Sequence, residues 1–133
     1  MDDKDLFNQA VKARENAYAP YSKFRVGAAL LAESGKAYLG CNIENAAFTP
    51  TNCAERTAFF KAVSEGERKF KKIAIAAGKE VLVYTSPCGV CRQVMMEFCD
   101  PDTFQIIMGT NENDIEGIQL KKLLPKGFGP GLF

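Results

Sequence analysis

The spacing of apolar side chains along the chain alternates between the period of a helix and the short runs typical of buried strands. Leu6, Ala10, Ala13 and Ala17 recur four and three positions apart and predict an amphipathic helix over residues 3–18. The other predicted elements are helices over 53–64, from Pro87 through Phe98 and over 120–124, and strands over 26–32, 38–44, 73–77, 81–84 and 104–108.

Capping residues and turns join these elements into a predicted fold. Asn52 is expected to cap the second helix, and Ser86 to cap the third, with Pro87 at its first helical position. A turn at Gly35 makes the first two strands an antiparallel hairpin, whereas the later alternation of strands and helices predicts parallel pairing with right-handed crossovers. The predicted fold class is α/β, a three-layer α/β/α sandwich with a mixed β-sheet, in a single domain over residues 1–133.

Composition and charge exclude several classes of function. Hydrophobic residues make up 47% and charged residues 25% of the 133 residues, as in ordinary globular proteins. Lys+Arg number 17 and Asp+Glu 16, so the net charge of +1 provides no basic field for a nucleic-acid backbone. No apolar run approaches the roughly 20 residues of a membrane span, and the polar N-terminus MDDKDLFNQ is unlike a secretory leader. We therefore expect a cytoplasmic protein that binds neither nucleic acid nor membrane.

The absence of histidine restricts the chemistry of the chain. Ser-His and Cys-His nucleophilic catalysis and His-ligated metal sites are excluded within one chain, so other side chains must move protons near neutral pH. The cysteines number five, and an odd count argues against a disulfide framework and for a reducing compartment. In such a compartment thiols serve as core residues, nucleophiles or metal ligands.

Three of the cysteines have the spacing of metal ligands. Cys88 and Cys91 lie three positions apart, so their sulfur atoms fall on one helical face, and Cys53 begins another predicted helix. A helix N-terminus stabilises a thiolate and lowers its pKa. Three thiolates leave the fourth tetrahedral position open, which is the pattern of a catalytic rather than a structural zinc site. We predict that Cys53, Cys88 and Cys91 bind zinc.

Glu55 and Arg56 extend the predicted site. Glu55 lies close enough to Cys53 to move protons at the metal, a role that suits a carboxyl group whose pKa is raised in a dry pocket. Arg56 is three positions after Cys53 and is expected to donate hydrogen bonds to the sulfur atoms. These bonds would draw off part of the negative charge of the thiolates.

Other interpretations of the cysteines are open on the residues alone. In one interpretation the three thiols are unrelated buried groups, and in another the Cys-x-x-Cys pair serves redox chemistry. Alternatively, Cys41 supplies a fourth thiolate and closes a structural zinc site. Against this last arrangement, Leu39, Cys41 and Ile43 alternate on the apolar face of their strand, so Cys41, like Cys99, is expected to be a core residue.

Several segments match, in order, the pattern of one known family. The segment Cys53-Ala54-Glu55 followed by Pro87-Cys88-x-x-Cys91-Arg92-Gln93 is similar to the zinc-dependent deaminase signature in its three-cysteine form. The chain resembles the small homotetrameric zinc-dependent cytidine deaminases over almost its whole length. The further matching segments are Ala19-Pro20-Tyr21-Ser22, Val26-Gly27-Ala28-Ala29, Gly40-Cys41-Asn42-Ile43-Glu44-Asn45-Ala46, Ala54-Glu55-Arg56-Thr57-Ala58 and Leu123-Leu124-Pro125.

The resemblance implies a reaction and the residues that carry it. The reaction is the hydrolytic deamination of cytidine and 2′-deoxycytidine to uridine and 2′-deoxyuridine plus ammonia, in pyrimidine salvage, with one zinc ion per subunit bound by the three cysteines. Glu55 would protonate N3 of the pyrimidine and then pass a proton to the leaving amino group. The N–H of Ala54 and the carbonyl of Ser86 would hold the pyrimidine edge and the leaving amine.

The expected contacts to the nucleoside extend to its sugar and to a second subunit. Asn42 and Glu44 share one strand face and place an amide beside a carboxylate, a pair that suits ribose hydroxyls. On the residues alone a solvated strand face is favoured, and the resemblance reverses that preference. By the same resemblance, Phe24 lines the base pocket, and Phe128 reaches the base bound by a neighbouring subunit of a homotetramer with shared active sites.

The sequence departs from the family pattern at two places, and three alternative functions are open. Phe48 stands where the family usually has Tyr, which removes a hydroxyl hydrogen bond, and segment 78–84 is longer and more apolar than usual, so that it extends a strand or alters subunit packing. The alternatives are a deaminase for a cytosine-containing antibiotic such as blasticidin S, a nucleic-acid editor, which needs a basic groove, and a non-enzymatic zinc-stabilised module with a saturated metal.

Overall fold

Residues 1–133 are described by a computed structural model, in which strands and helices alternate along the chain. The sheet has five strands. The elements are α1 (Asp3–Arg14), β1 (Arg25–Ala32), β2 (Ala37–Cys41), α2 (Ala54–Ser64), β3 (Phe70–Gly78), α3 (Gly89–Phe98), β4 (Gln105–Asn111), β5 (Asp114–Gln119), α4 (Leu120–Leu123) and a final 3₁₀ turn at Pro130–Leu132. No helix has both the length and the apolar character needed to cross a bilayer.

The sheet is mixed, as predicted, but it contains less parallel pairing than the alternation of elements suggested. Its strand order is β2-β1-β3-β4-β5, and only β3 and β4 are parallel. β1 runs antiparallel to both β2 and β3, because the long connection through α2 carries the chain past β1 before β3 begins. β5 pairs antiparallel with β4 and was not predicted, since its polar and half-exposed residues lack an apolar run.

Two separate cores cover the two faces of the sheet and confirm the three-layer sandwich. α2 and α3 pack on one face through Phe59 and Met95, which together with Phe104, just before β4, have no exposed surface. α1 covers the other face through Leu6 and Phe7, and it packs against alanines of β1 and β3. Because alanine side chains are small, the helices approach the middle strands closely from both sides of the sheet.

Gly40 on β2 determines how closely α2 approaches the sheet. A Cβ atom at this position would lie 2.4 Å from the carbonyl oxygen of Ala54 and 2.6 Å from the amide nitrogen of Ala58. The backbone of α2 therefore rests directly on the backbone of β2. This contact fixes the start of α2, which holds Cys53 and Glu55, at the edge of the sheet.

The close contact with α2 also overturns the predicted orientation of β2. Tyr38 and Gly40 face α2 and are buried, whereas Leu39 lies on the α1 side. Cys41 is half-buried at the end of β2 and is not the core residue that was predicted. Cys99, in contrast, is 9% exposed and belongs to the core under α2 and α3, as predicted.

Helix boundaries differ from the predicted ones for identifiable reasons. α1 ends at Arg14 rather than residue 18, because Tyr18 leaves the helix and its N–H donates to the carbonyl of Asn42 at 2.9 Å. The N-cap of α2 is Cys53 rather than Asn52, whose side-chain amide donates to Thr57 Oγ1 at 3.1 Å. The N-cap of α3 is Cys88, two residues beyond the predicted Ser86.

The apolar segment 78–84 folds back on the end of β3 and does not form the predicted extended strand. A single bridge pair joins it to β3, with the N–H of Val83 donating to the carbonyl of Ala77 at 2.8 Å. Arg14 Nη2 holds the turn by donating to the carbonyls of Gly78 and Lys79 at 2.7 and 2.6 Å. The segment thus forms a turn that Arg14 holds in place, at the same edge of the molecule as the start of β1.

Replacing Gly40 with Ala is expected to destabilise the protein by about 1–3 kcal/mol or more, because the added Cβ forces two backbones apart. Urea denaturation at a fixed protein concentration measures the change. Gly131→Ala is the matched control, since a Cβ at Gly131 meets no atom within 4 Å. A Gly40→Ala protein as stable as the control would contradict the close packing of α2 on β2.

Candidate metal centre and active site

Three cysteine sulfur atoms meet where α2 and α3 begin. The ligand atoms of Cys53, Cys88 and Cys91 all lie within 4.8 Å of one another, and Cys53 Sγ is 3.8 Å from Cys88 Sγ. A tetrahedral zinc ion with Zn–S bonds of about 2.3 Å holds its sulfur ligands roughly 3.8 Å apart. The donor set therefore fits zinc. No fourth cysteine joins the group, so the closed site with Cys41 does not form.

Helix starts create this cluster. Cys53 and Cys88 are the N-caps of α2 and α3, and Cys91 follows one turn into α3, where its N–H donates to Cys88 Sγ at 3.5 Å. The positive ends of both helix dipoles are directed at the sulfur atoms and favour thiolates. The Cys91 thiol and the Arg56 guanidinium beside Cys53 lower its pKa to about 5, against the opposing effect of burial.

Arg56 lies against the sulfur atoms from within α2. Its Nη2 donates to Cys53 Sγ at 3.2 Å. Burial alone would lower the pKa of Arg56, but the hydrogen bond to Cys53 and the nearby sulfur of Cys91 raise it. Its Nε is buried without a partner, so the guanidinium keeps further donor capacity beside the cluster. The structure thus places Arg56 where it offsets the negative charge of the thiolates.

Glu55 is a buried carboxyl group in the first turn of α2. It is 4% exposed, although most carboxylates lie in solvent. Burial raises the pKa of Glu55 to about 7, and the charge of the adjacent Cys53 thiolate acts in the same direction. Cys53 and Cys91 both act on the Glu55 carboxyl group, so it lies beside the cluster without belonging to the ligand set.

Two backbone groups named in the sequence analysis are free to bind a ligand. The N–H of Ala54 belongs to the first turn of α2 and donates to no acceptor in the chain. The carbonyl of Ser86, which precedes Cys88 by two residues, accepts no hydrogen bond in the chain. A donor and an acceptor are therefore available on the two helix starts that hold the sulfur atoms.

Arg92 braces the loop that leads into Cys88, a role that sequence reasoning missed. Its Nε donates to the carbonyl of Pro87 at 2.7 Å, and its Nη2 donates to Ser86 Oγ at 3.2 Å. Its Nη1 donates to the carbonyl of Leu123 at 2.6 Å and so ties the loop to α4. The available signal was its position immediately after the last metal ligand.

Asn42 is buried and already engaged with the backbone. Its Oδ1 accepts from the N–H of Val26 at 2.9 Å, and its Nδ2 donates to the carbonyl of Phe24 at 2.8 Å. Because β2 ends at Cys41 and Asn42 is only 9% exposed, the interpretation of a solvated strand face is wrong for this residue. Asn42 holds the start of β1 in place.

Glu44 receives three hydrogen bonds from the turn before β1. The N–H groups of Tyr21 and Ser22 donate to its Oε1 at 3.0 and 3.1 Å, and the Ser22 hydroxyl donates to its Oε2. The bond from the Ser22 hydroxyl, aided by the two N–H groups, lowers the pKa of Glu44. Ser22 Oγ also accepts from the N–H of Phe24 at 3.0 Å, which joins Glu44 to Phe24.

The remaining aromatic residues named in the sequence analysis lie at or near the surface. Phe24 is half-buried and lines a cavity of about 470 Å³ beside Val81 and Val83. Phe48 is 73% exposed and contacts Tyr21 edge-to-face, with ring centroids 6.5 Å apart. Phe128 is 59% exposed in the C-terminal segment.

Comparisons relate the chain to known proteins. Residues 1–108 match the family model described as the cytidine and deoxycytidylate deaminase zinc-binding region. Over 128 residues the chain is 56% identical to a cytidine deaminase of Sporosarcina psychrophila, covering 96% of this chain and 92% of that protein. It is 51% identical to one of Halalkalibacterium halodurans, covering 96% and 95%. The crystal structure of cytidine deaminase from Burkholderia pseudomallei has a TM-score of 0.87 and 44% identity over 96% of this chain and 100% of that chain.

Removing single thiols tests which cysteines hold the ion. We expect the unaltered protein to contain one zinc ion per chain, and Cys53→Ala and Cys91→Ala to lose most of it, because two remaining thiolates bind zinc weakly. Elemental analysis after dialysis measures the stoichiometry. Cys41→Ala is the matched control and should keep its zinc. Loss of zinc from the control would revive the four-sulfur site.

Proposed function

The chain belongs to the family of cytidine and deoxycytidylate deaminases, and on that premise we propose that it hydrolyses cytidine to uridine and ammonia at the three-cysteine site. One observation carries this proposal. Three thiols that fit one zinc ion lie together with a coordination position unfilled by any side chain, and a buried carboxyl group stands in the first helical turn beside them. A purely structural zinc module would have a closed ligand set.

Cys53, Cys88 and Cys91 would hold the zinc ion. Bound zinc supplies a Lewis acid that lowers the pKa of water and so makes a nucleophile available at neutral pH. Three thiolates and Zn²⁺ together carry a net charge of −1, which weakens that effect. Arg56 and the two helix N-termini counter it by withdrawing electron density from the sulfur atoms.

Glu55 is proposed to move the protons of the reaction. It would donate a proton to N3 of the pyrimidine ring and later deliver one to the departing amino group. Its support is its place beside the sulfur cluster and its burial, which raises its pKa to about 7 and suits a group that takes up and releases protons near neutral pH. The free N–H of Ala54 and the free carbonyl of Ser86 would orient the pyrimidine edge and the amino group.

The unused hydrogen-bonding capacity of Asn42 and Glu44 supports activity on 2′-deoxycytidine as well. Each carboxylate oxygen accepts about two hydrogen bonds, so Glu44 Oε1 is full and Oε2 has room for one more. Asn42 Nδ2 has one N–H left to donate. One free donor and one free acceptor match a single sugar hydroxyl. The 2′-hydroxyl is then not required, and both nucleosides are substrates.

We also propose that the chain assembles into a homotetramer with shared active sites. Support comes from the aromatic side chains on its surface, which include Tyr21 at 53%, Phe48 at 73% and Phe128 at 59% exposure. Exposed aromatic groups that flank proposed substrate contacts are typical of an interaction surface. In the tetramer, Phe128 of one subunit would reach the nucleoside held by its neighbour, with Phe24 lining the base pocket.

The proposed biological setting is pyrimidine salvage in the cytoplasm. All five cysteines are free, and three of them form the metal cluster. Such a thiol cluster survives in a reducing compartment, where disulfide formation does not compete with metal binding. A free nucleoside as substrate fits salvage, because salvage enzymes recover nucleosides released from nucleic acids.

Replacing Glu55 with Gln should abolish turnover without disturbing the metal site. We expect kcat for cytidine to fall by about 10²–10⁴-fold or more, since the amide keeps the shape of the carboxyl group but cannot exchange protons. The ultraviolet absorbance change of cytidine measures turnover, and elemental analysis checks zinc in the same samples. Glu97→Gln, at an exposed position of α3, is the control. A zinc-loaded Glu55→Gln protein with unchanged kcat would remove the proposed role of Glu55.

Sugar variants of the substrate test the single-hydroxyl site. We expect kcat/KM for cytidine and 2′-deoxycytidine to agree within about tenfold, because no buried protein group loses its partner when the 2′-hydroxyl is absent. For 2′,3′-dideoxycytidine we expect a fall of about 10²-fold or more, since Asn42 and Glu44 then face no hydroxyl. A large preference for cytidine over 2′-deoxycytidine would show that both hydroxyls are bound.

A further inference from the structure

The C-terminal segment, residues 125–133, is joined to the rest of the chain by one hydrogen bond. Gln93 Nε2 on α3 donates to the carbonyl of Phe128 at 2.8 Å. The other bonds of the segment are internal to its final turn, from the N–H groups of Leu132 and Phe133 to the carbonyls of Gly129 and Pro130. Gln93 therefore binds the segment at Phe128, whose aromatic ring is exposed.

Close packing on both sides of Phe128 reinforces this attachment. Gly129 is buried against α3, and a Cβ atom there would lie 3.0 Å from Met96 Cε. A Cβ atom at Gly127 would lie 3.0 Å from the side chain of Leu124. The backbone around Phe128 is thus held to the body of the protein, while its ring remains 59% exposed.

The second aromatic residue of the segment supports the ring from one side only. Phe133 contacts the Phe128 ring edge-to-face, with centroids 6.0 Å apart, and is itself 98% exposed. Phe133 therefore adds contact area but no link to the rest of the protein. Gln93 is the polar link, and it stands two residues after the predicted metal ligand Cys91 on α3, the helix that Cys88 caps.

An exposed aromatic ring binds a ligand more tightly when the backbone that carries the ring is already fixed. A ring on a mobile segment loses conformational freedom when it binds, and this loss weakens affinity. A ring whose backbone is already held loses only the rotation of its side chain. The entropic cost of ordering the segment is then met during folding rather than during substrate binding.

We propose that Gln93 is a positioning residue that holds Phe128 in place for the nucleoside site of a neighbouring subunit. This inference rests on the proposed function, which assigns the Phe128 ring to a shared active site. Gln93 itself touches neither the substrate nor the metal in this arrangement. Its effect is on the affinity for substrate, because a preset Phe128 ring stabilises bound substrate and transition state alike.

The test compares Gln93→Leu and Gln93→Glu with Phe128→Ala. Leucine lacks a donor at similar size, and an ionised glutamate cannot donate to a carbonyl. We expect each Gln93 variant to raise KM for cytidine by about 3–10-fold with kcat within about twofold, the size of one lost hydrogen bond. Zinc content and the tetramer, measured by light scattering, should not change. Gln119→Leu removes a similar exposed bond, from Gln119 Nε2 to the carbonyl of Asp102 at 2.7 Å, and is the control.

The double variant separates the two proposals. In the Phe128→Ala background, Gln93→Leu should raise KM no further, because the ring that it positions is gone. If Phe128→Ala raises KM but Gln93→Leu and Gln93→Glu do not, the role of Gln93 is refuted and the shared site stands. An equal effect of Gln93→Leu with and without the Phe128 ring also refutes positioning. If Phe128→Ala leaves KM unchanged, the shared site itself fails, and the inference about Gln93 fails with it.

Discussion

The attraction between thiolates and the positive ends of two helices is the interaction on which the rest of this structure depends. Thiolates at the sulfur–sulfur distances seen here repel one another, and the donors to Cys53 and Cys88 offset part of that repulsion, as a bound metal ion would offset the rest. Cys53 and Cys88 occupy the N-cap positions themselves, so the helix ends and the metal ligands are the same residues. The same residues therefore stabilise the helix ends and form the metal site.

The sheet supplies the geometry that brings the two helix starts together. α2 rests backbone-on-backbone against Gly40, and α3 reaches its position through a loop that Arg92 ties to α4. Both helices cover the same face of the sheet around Phe59 and Met95. On the opposite face α1 completes the core and sends Arg14 to hold the turn after β3. The contacts of Gly40 and Arg92 thus place the two helix starts on which the cluster is built.

The metal cluster and the layered fold were predictable from sequence, because both depend on local and strongly periodic patterns. The Cys-x-x-Cys spacing places two sulfur atoms on one helical face wherever the helix lies, and long apolar stretches identify the helices and central strands. The strand directions were not predictable in the same way. The antiparallel pairing of β1 with β3 depends on the path of a connection, and β5 has a polar sequence that carries no strand signal. Asn42 shows the same limit, because its bonds to the backbone of Phe24 and Val26 join parts of the chain that are distant in sequence.

The capping position of Cys53 has a consequence for the protein when metal is scarce. α2 has no side-chain hydrogen bond at its N-cap, whereas most helices use an oxygen atom there. A sulfur that caps poorly but binds metal well makes helix stability depend on ion occupancy. A chelator would then act on this protein as a mild denaturant, loosening first the end of α2 that rests on Gly40. Thermal stability would then follow the supply of zinc, and newly made chains would mature only as fast as the ion reaches them.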